Sequence, residues 1–326
     1  MNILEKEIIA TLAFFNSFEK ALTVEEIFEN LYKEHPLRQK PTQAELQKAL
    51  KNLEAKKIIE PNKDSRGIKV QLKNHHTVDR TKYNNTLMNK TRRWSWIFTL
   101  CPFIELVAVC NTLGFDAAKK GSDIDLFIIT TKGRLFTGRS FITLLTQLCG
   151  IRRHGDKVSE RFCLSFLIDE QAKDIHRLAF NEDIYFTYWL KNLKVIYSRD
   201  SESIQGFSDI NKYWVSQYLH HPHFNTADTR YGKNVIGKLL ELLLKGKIGT
   251  FIENNLKKWQ LTRARTKAKE LPDLSGTILT DTILKFHNID MRHSIHHKWK
   301  RTQRSISTRR GNQTQKKEVL TNTYSI

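Results

Sequence analysis

Asp123 and Asp125 stand two residues apart in Asp123-Ile124-Asp125-Leu126-Phe127-Ile128-Ile129, which reads as a strand just after Gly121-Ser122. In a strand, residues two apart point to the same face. The two carboxylates therefore project side by side, while Ile124 and Leu126 turn the other way into a core. Paired carboxylates at a strand start suit a hard divalent cation such as Mg²⁺ or Mn²⁺, which takes oxygen ligands and keeps places for substrate phosphates. Two such ions about 3.5–4 Å apart activate an attacking oxygen and stabilise a leaving one. The alternative for such a pair is a strand entry that is solvated or salt-bridged to local lysines such as Lys119 and Lys120.

The neighbouring elements must hold this pair. Upstream, Leu106-Val107-Ala108-Val109-Cys110 reads as a strand, and Asn111 to Ser122 as a loop or short helix; ten residues separate Thr112 from Asp123. Downstream, Lys132-Gly133-Arg134 makes a turn, and Phe136 to Cys149 reads as a helix with Arg139 placed to face the acids. Arg152, Arg153 and Arg161 cluster before the next strand, 161–168. They suit either a clamp for a triphosphate or nucleic-acid backbone or a plain exposed basic surface. That strand contains no acid: Ser165 takes the inward position, and Asp169 and Glu170 lie only at its far end.

A strand, a two-residue turn, about ten residues and then Asp-x-Asp between apolar residues resembles the nucleotidyltransferase (DNA polymerase β-like) superfamily. Its Gly-Ser or Gly-Gly turn corresponds here to Asn111-Thr112. The whole arrangement also resembles a group of bacterial proteins known mainly as predicted nucleotidyltransferases, in which a helix-turn-helix domain precedes the catalytic fold and a long helical region follows. The resemblance spans about residues 1–300, and its one specific motif is the Asp-x-Asp segment. It implies an α+β or α/β multidomain chain: a winged helix, a nucleotidyltransferase-fold mixed sheet with flanking helices, then a helical region. It also implies Mg²⁺- or Mn²⁺-dependent transfer of a nucleoside monophosphate from a nucleoside triphosphate to an acceptor hydroxyl. Asp123 and Asp125 would be the catalytic metal ligands, with Asn111, Thr112 and Ser122 near the phosphates. Two departures stand out. Asn111 replaces the turn glycine, although Asn tolerates a left-handed backbone better than most residues and Thr112 keeps the hydroxyl. The family's third carboxylate, from a neighbouring strand, has no counterpart, which removes the usual base. These departures favour the alternative of a non-catalytic nucleic-acid-binding regulator carrying a degenerate transferase fold.

Residues 1–73 carry the pattern of a small helical unit closed by a hairpin. Leu4, Ile8, Ile9, Leu12 and Phe15 recur at helical spacing, and Thr23 with Glu26 and Thr42 with Glu45 form capping boxes for two more helices. Alternating runs at 58–60 and 68–72 flank a turn at 61–67. Three short helices and a β-wing resemble a winged helix-turn-helix domain, which would set Lys48, Lys51, Lys63, Arg66 and Lys69 against DNA or RNA phosphates or, in a protein-interaction module, leave them solvated. Residues 74–96 read as a basic linking helix, 97–170 as the transferase core and 171–302 as helical. In that last region the aromatic run 178–193 reads as core, and a long amphipathic helix spans 235–269, with Gly246 and Gly249 as candidate bend points. His287 is a candidate to reach the site, with packing or capping the alternative; His293, His296 and His297 read as a solvated face. From Arg292 to Glu318 nine Lys or Arg face one acid, and 303–326 reads as a basic, disordered tail.

With 54 Lys or Arg against 34 Asp or Glu, the 326-residue chain carries a net charge of +20, which favours polyanionic or phosphorylated partners. Its longest apolar stretch, 97–110, is interrupted by Pro102 and Glu105 and falls short of the roughly 20 residues of a membrane span. The first residues lack the basic and apolar regions of a signal peptide. Cys101, Cys110, Cys149 and Cys163 form no C-x-x-C pair, and Cys110 and Cys163 read as small core residues. Reduced thiols and a cytoplasmic location are expected.

Overall fold

The computed structural model describes residues 1–65, 67–270, 273–286 and 290–306. Arg66, His287 and the tail from 307 lie outside the described residues. The chain is a mixed α/β protein that divides into two compact units. One comprises Met1–Asp79, Gln217–His221 and the chain from Arg292; the other comprises Arg80–Ser216 and Pro222–Met291.

The first unit is built on α1 (Ile3–Asn16), capped by a reciprocal Asn2–Glu5 box and buried along Ile8, Leu12, Phe14 and Phe15. Thr23 and Thr42 cap α2 (Val24–Glu29) and α3 (Gln43–Ala55) with their partners Glu26 and Glu45. Strands β1 (Ile59–Asp64) and β2 (Gly67–Leu72) pair antiparallel from Ile59↔Leu72 to Asp64↔Gly67. The ladder is longer than the alternation predicts because Pro61 is accommodated within β1, its ring exposed, as proline is in strands that do not need its missing N–H. A helix over 291–306 also belongs to this unit, where the Trp299 indole donates to the Ala10 carbonyl at 2.8 Å. Residues 303–306, expected in the tail, are its last turn.

The second unit holds α4 (Thr81–Trp94), α5 (Trp96–Leu100), β3 (Ile104–Val109), α6 (Asn111–Gly114), β4 (Ile124–Thr130), α7 (Leu135–Leu148), β5 (Phe162–Asp169), α8 (Ile184–Lys191), β6 (Lys194–Ser198), α9 (Ser201–Ser216), β7 (Arg230–Tyr231), α10 (Val235–Leu243), α11 (Gly246–Ala268), β8 (Thr277–Leu279) and β9 (Ile283–Phe286). Its seven strands form one mixed sheet in the order β7-β6-β3-β4-β5-β9-β8. β4 is antiparallel to β3 and parallel to β5, so α7 supplies the crossover that a parallel pair requires. Ile124, Leu126 and Ile128 of β4 join Val107, Val109, Phe136 and Ile142 in the apolar core. On the opposite face Phe127 meets Phe166 and Trp189 at ring separations of 5.1 and 5.2 Å.

The region after residue 171 is not purely helical: it contributes β6, β7, β8 and β9. Val-Ile-Tyr at 195–197 is a short apolar run, and periodicity alone cannot tell a buried strand from a buried helix segment. Pairing with β3 decides it, burying all three side chains. The long helix expected over 235–269 is broken at Leu244-Lys245. A Cβ on Gly249 would stand 1.6 Å from the Leu244 carbonyl oxygen, so only glycine permits that corner.

Glu253 anchors α11 to α7. The first residue before α7, Arg134, offers no side-chain cap. Instead the buried Glu253 carboxylate accepts the N–H groups of Phe136 and Thr137 at 2.9 and 2.8 Å, and the Thr137 hydroxyl as well. A carboxylate at a helix N-terminus satisfies orphan donors and the helix dipole together. Glu253→Ala is expected to cost about 3 kcal/mol in urea unfolding, since hydrogen bonds to a charged group are worth about 1.5–3 kcal/mol and the buried donors would be left unpaired.

Candidate metal centre

The acid pair sits where β3 and β5 flank the start of β4. Just past β3, Asn111 takes a left-handed backbone, φ 53°, turning the chain into α6. The Cys110 N–H donates to the Asp125 carbonyl at 3.0 Å, tying that turn to β4. Asp125 pairs with Cys163 across the parallel ladder. One ligand atom from each of Asp123, Asp125 and Cys163 lies within 4.8 Å of the others, the only such grouping of three metal-donor side chains among the described residues. Ile124 and Leu126 are fully buried on the opposite face.

The pair has specific company. Arg153 Nη1 donates to Asp123 Oδ2 at 2.6 Å and lies 3.7 Å from the Cys163 sulfur. Lys119 and Lys120 form no ion pair with the acids among the described contacts; Arg153 takes that place. The Ser165 hydroxyl is 3.5 Å from Asp125 Oδ1. Asn111 hydrogen-bonds Asp125, and its own Oδ1 accepts the Trp189 indole N–H at 2.9 Å. Burial, then the neighbouring Asp123 charge, pushes the Asp125 carboxyl up to about 6, against hydrogen bonds from Asn111 and Cys163 and the Arg153 charge. Burial, then Asp125, pushes the Cys163 thiol up to about 12, so it is protonated at neutral pH.

This donor set fits one hard cation between the two carboxylates. A protonated thiol is a poor ligand for Mg²⁺ or Mn²⁺, and no further carboxylate among the described residues joins the group. Asp169 is buried at the other end of β5, where it accepts the N–H groups of Gly133 and Gln171; Glu170 accepts that of Lys132. Of the residues expected near phosphates, Asn111 is at the site. Thr112 is exposed on α6, and the Ser122 hydroxyl accepts the Lys119 N–H at 2.9 Å, closing its own turn.

The basic residues divide sharply. Among the described residues, only Arg153 pairs with the acids. Arg139 turns away, donating to Gln260 at 2.6 Å and lying 4.8 Å from the Phe286 ring centroid. Arg161 donates to the Gly150 carbonyl and Arg152 to Gln147. In the other unit Lys69 is buried and ion-paired with Asp64, so it cannot meet phosphates, whereas Lys48, Lys51 and Lys63 are exposed. His296 packs its ring beside Trp299, and the three histidines form no metal-donor group.

Cys163 and Trp189 were not expected at the site. The alternation Phe162-Cys163-Leu164-Ser165 carries the signal for the first, since it sets Cys163 and Ser165 on one face. β9 is a further neighbour: it runs antiparallel along β5 from Ile168↔Ile283 to Phe166↔Lys285, heading toward the end that bears Ser165 and Cys163. Lys285 Nζ lies 5.9 Å from the Phe166 ring centroid. Comparison with protein-family models, with curated proteins and with solved structures finds no match to this chain.

The raised Asp125 pKa has a pH consequence. Between the ordinary 3.8 and about 6 the folded chain holds a proton that the unfolded chain has released, so stability falls as pH rises through that window. Asp125→Asn should abolish this fall. In denaturant titrations the variant and the parent should match near pH 4, and the variant should be more stable by up to about 3 kcal/mol above pH 7, at 1.36 kcal/mol per unit.

Proposed function

We propose that the chain is a metal-dependent nucleotidyltransferase that moves a nucleoside monophosphate from a nucleoside triphosphate to an acceptor hydroxyl. The observation that carries this reading is the carboxylate pair of Asp123 and Asp125. It lies on one face at the head of β4, with a single arginine for countercharge and with Asp125 held above its ordinary pKa. Two adjacent carboxylates repel, and a divalent cation relieves that cost. Asp123 and Asp125 would hold Mg²⁺ or Mn²⁺, which supplies charge neutralisation of the triphosphate and acidity to the attacking hydroxyl. Asn111, fixed by Trp189, orients the Asp125 carboxyl. Arg153, now paired with Asp123, would offer a guanidinium suited to phosphate oxygens once Asp123 turned to a cation. The acceptor oxygen bonds to the α-phosphorus, the bond to the bridging oxygen breaks, and pyrophosphate leaves with the electron pair. With Cys163 and Ser165 on the neighbouring strand in place of a third acid, the acceptor proton has no dedicated base and passes to solvent water. General-base help is typically worth about 100–10,000-fold, so turnover is slow.

A second reading is favoured by the same two details, the Arg153–Asp123 ion pair and the thiol in place of an acid. In it the sheet is a relic, and the chain regulates by binding DNA or RNA through the N-terminal unit as a winged helix, with exposed Lys48, Lys51 and Lys63 on phosphates. No helix among the described residues is long and apolar enough to cross a membrane; under either reading the four cysteines, read as reduced thiols, favour a cytoplasmic site of action.

Incubation with labelled nucleoside triphosphates, Mg²⁺ or Mn²⁺ and whole-cell extract separates the two. The transferase reading predicts slow transfer of label to an acceptor by the parent protein and none by Asp123→Asn. Equal background with all four nucleotides and both metals favours the regulator.

A further inference from the structure

α10 is held to the fold on one face and leaves an apolar face exposed on the other. Its inner face is fixed by three contacts. Gly237 is pressed so close to α5 that a Cβ there would stand 2.5 Å from the Thr99 carbonyl oxygen. Glu241 accepts from the Phe103 N–H and pairs with Arg199 and Lys233. Asn234 caps the helix start through the Ile236 N–H. The outer face then consists of Val235, Ile236, Leu239, Leu242 and Leu243, at spacings that share one side of a helix, and their exposures run from 54% at Leu239 to 79% at Val235. Beyond the corner, Ile248 and Phe251 of α11 continue the surface at 69% and 70%.

The rim of this surface has one sign. Between residues 233 and 258 the acids are Glu241 and Glu253, and both are turned inward, onto Arg199 with Lys233 and onto the start of α7. Lys238, Lys245 and Lys247 are exposed, and no carboxylate pairs with them among the described residues. An apolar face of Leu, Ile, Val and Phe bounded by lysines alone has the chemistry of a helix that lies in the interface of an anionic bilayer. Isolated exposed apolar residues are ordinary, but a contiguous set of this kind marks an interaction surface.

We propose that the α10–α11 corner is a peripheral membrane-docking surface that inserts its apolar face among acyl chains and sets Lys238, Lys245 and Lys247 against anionic lipid headgroups. Charge argues against the two other occupants. A second copy would bring lysine rim against lysine rim on chains of net charge +20. Residues 307–326 carry four basic side chains against one acid, with Val319, Leu320, Tyr324 and Ile326 as their only large apolar ones, too few to cover the face. The docking surface does not depend on the transferase reading.

Co-sedimentation of the full chain with vesicles tests this, using phosphatidylcholine alone and phosphatidylcholine mixed with phosphatidylglycerol. Binding to the anionic vesicles and not to the neutral ones is expected. Leu239→Ser with Leu243→Ser should weaken it by at least about tenfold, with the folded circular-dichroism spectrum retained because both side chains are exposed. Lys245→Gln and Lys247→Gln should each weaken it roughly fivefold. Absence of sedimentation overturns the proposal. So does undiminished sedimentation of the double leucine variant, which would assign the binding to other basic surface. A dimer in sedimentation velocity that is lost in that variant, without vesicle binding, overturns it in favour of a second copy.

Discussion

Two carboxylates two residues apart on one strand cannot avoid each other, and the sheet unit is arranged around that fact. β4 is flanked by β3 on one side and β5 on the other, so Asp123 and Asp125 are held where they cannot separate. Ile124 and Leu126, fully buried on the opposite face, prevent the strand from rotating to release either acid, because a one-residue slip would carry the apolar side chains onto the acids' face and the charges into the core. The repulsion is met by Arg153 on Asp123 and by Asn111 and Cys163 on Asp125, and it still leaves Asp125 reluctant to ionise. Under the proposed reading a cation would complete what those neighbours only begin.

The supporting frame is held by carboxylates working in the opposite sense. Glu253 spends its charge on the N–H groups at the start of α7, and Glu241 on Arg199, Lys233 and a backbone N–H. Each satisfies donors that would otherwise be orphaned, and in doing so each fixes one helix against the sheet. A further result is that the solvent-facing sides of α10 and the start of α11 retain only lysines among their charges. Internal electrostatics and the character of the outer surface are therefore set by the same residues.

What could be read in advance follows the range of the interactions. Thr23 with Glu26 and Thr42 with Glu45 are capping boxes spanning three residues, and they form as the local chemistry dictates. The alternation through Asp123-Ile124-Asp125-Leu126 is equally local, and the two faces separate accordingly. Lys69 looks like any wing lysine until β1 and β2 pair and bring Asp64 to it. Arg153 stands thirty positions from Asp123, and their meeting depends on β5 lying beside β4. Cys163 reads as a core residue because its neighbours in sequence are apolar; its neighbours in space are the acids. β6 and β9 are strands because β3 and β5 offer them edges, a condition absent from their own residues.

The central claim is that Asp123 and Asp125 form a cation site, and Mn²⁺ titration followed by electron paramagnetic resonance addresses it without requiring an acceptor or turnover. The account predicts that the signal of free Mn²⁺ is quenched on the parent protein to the extent of one saturable site, and that Asp123→Asn with Asp125→Asn, folded as judged by circular dichroism, leaves the ion free. Equal quenching by both proteins, or none by either, would contradict it.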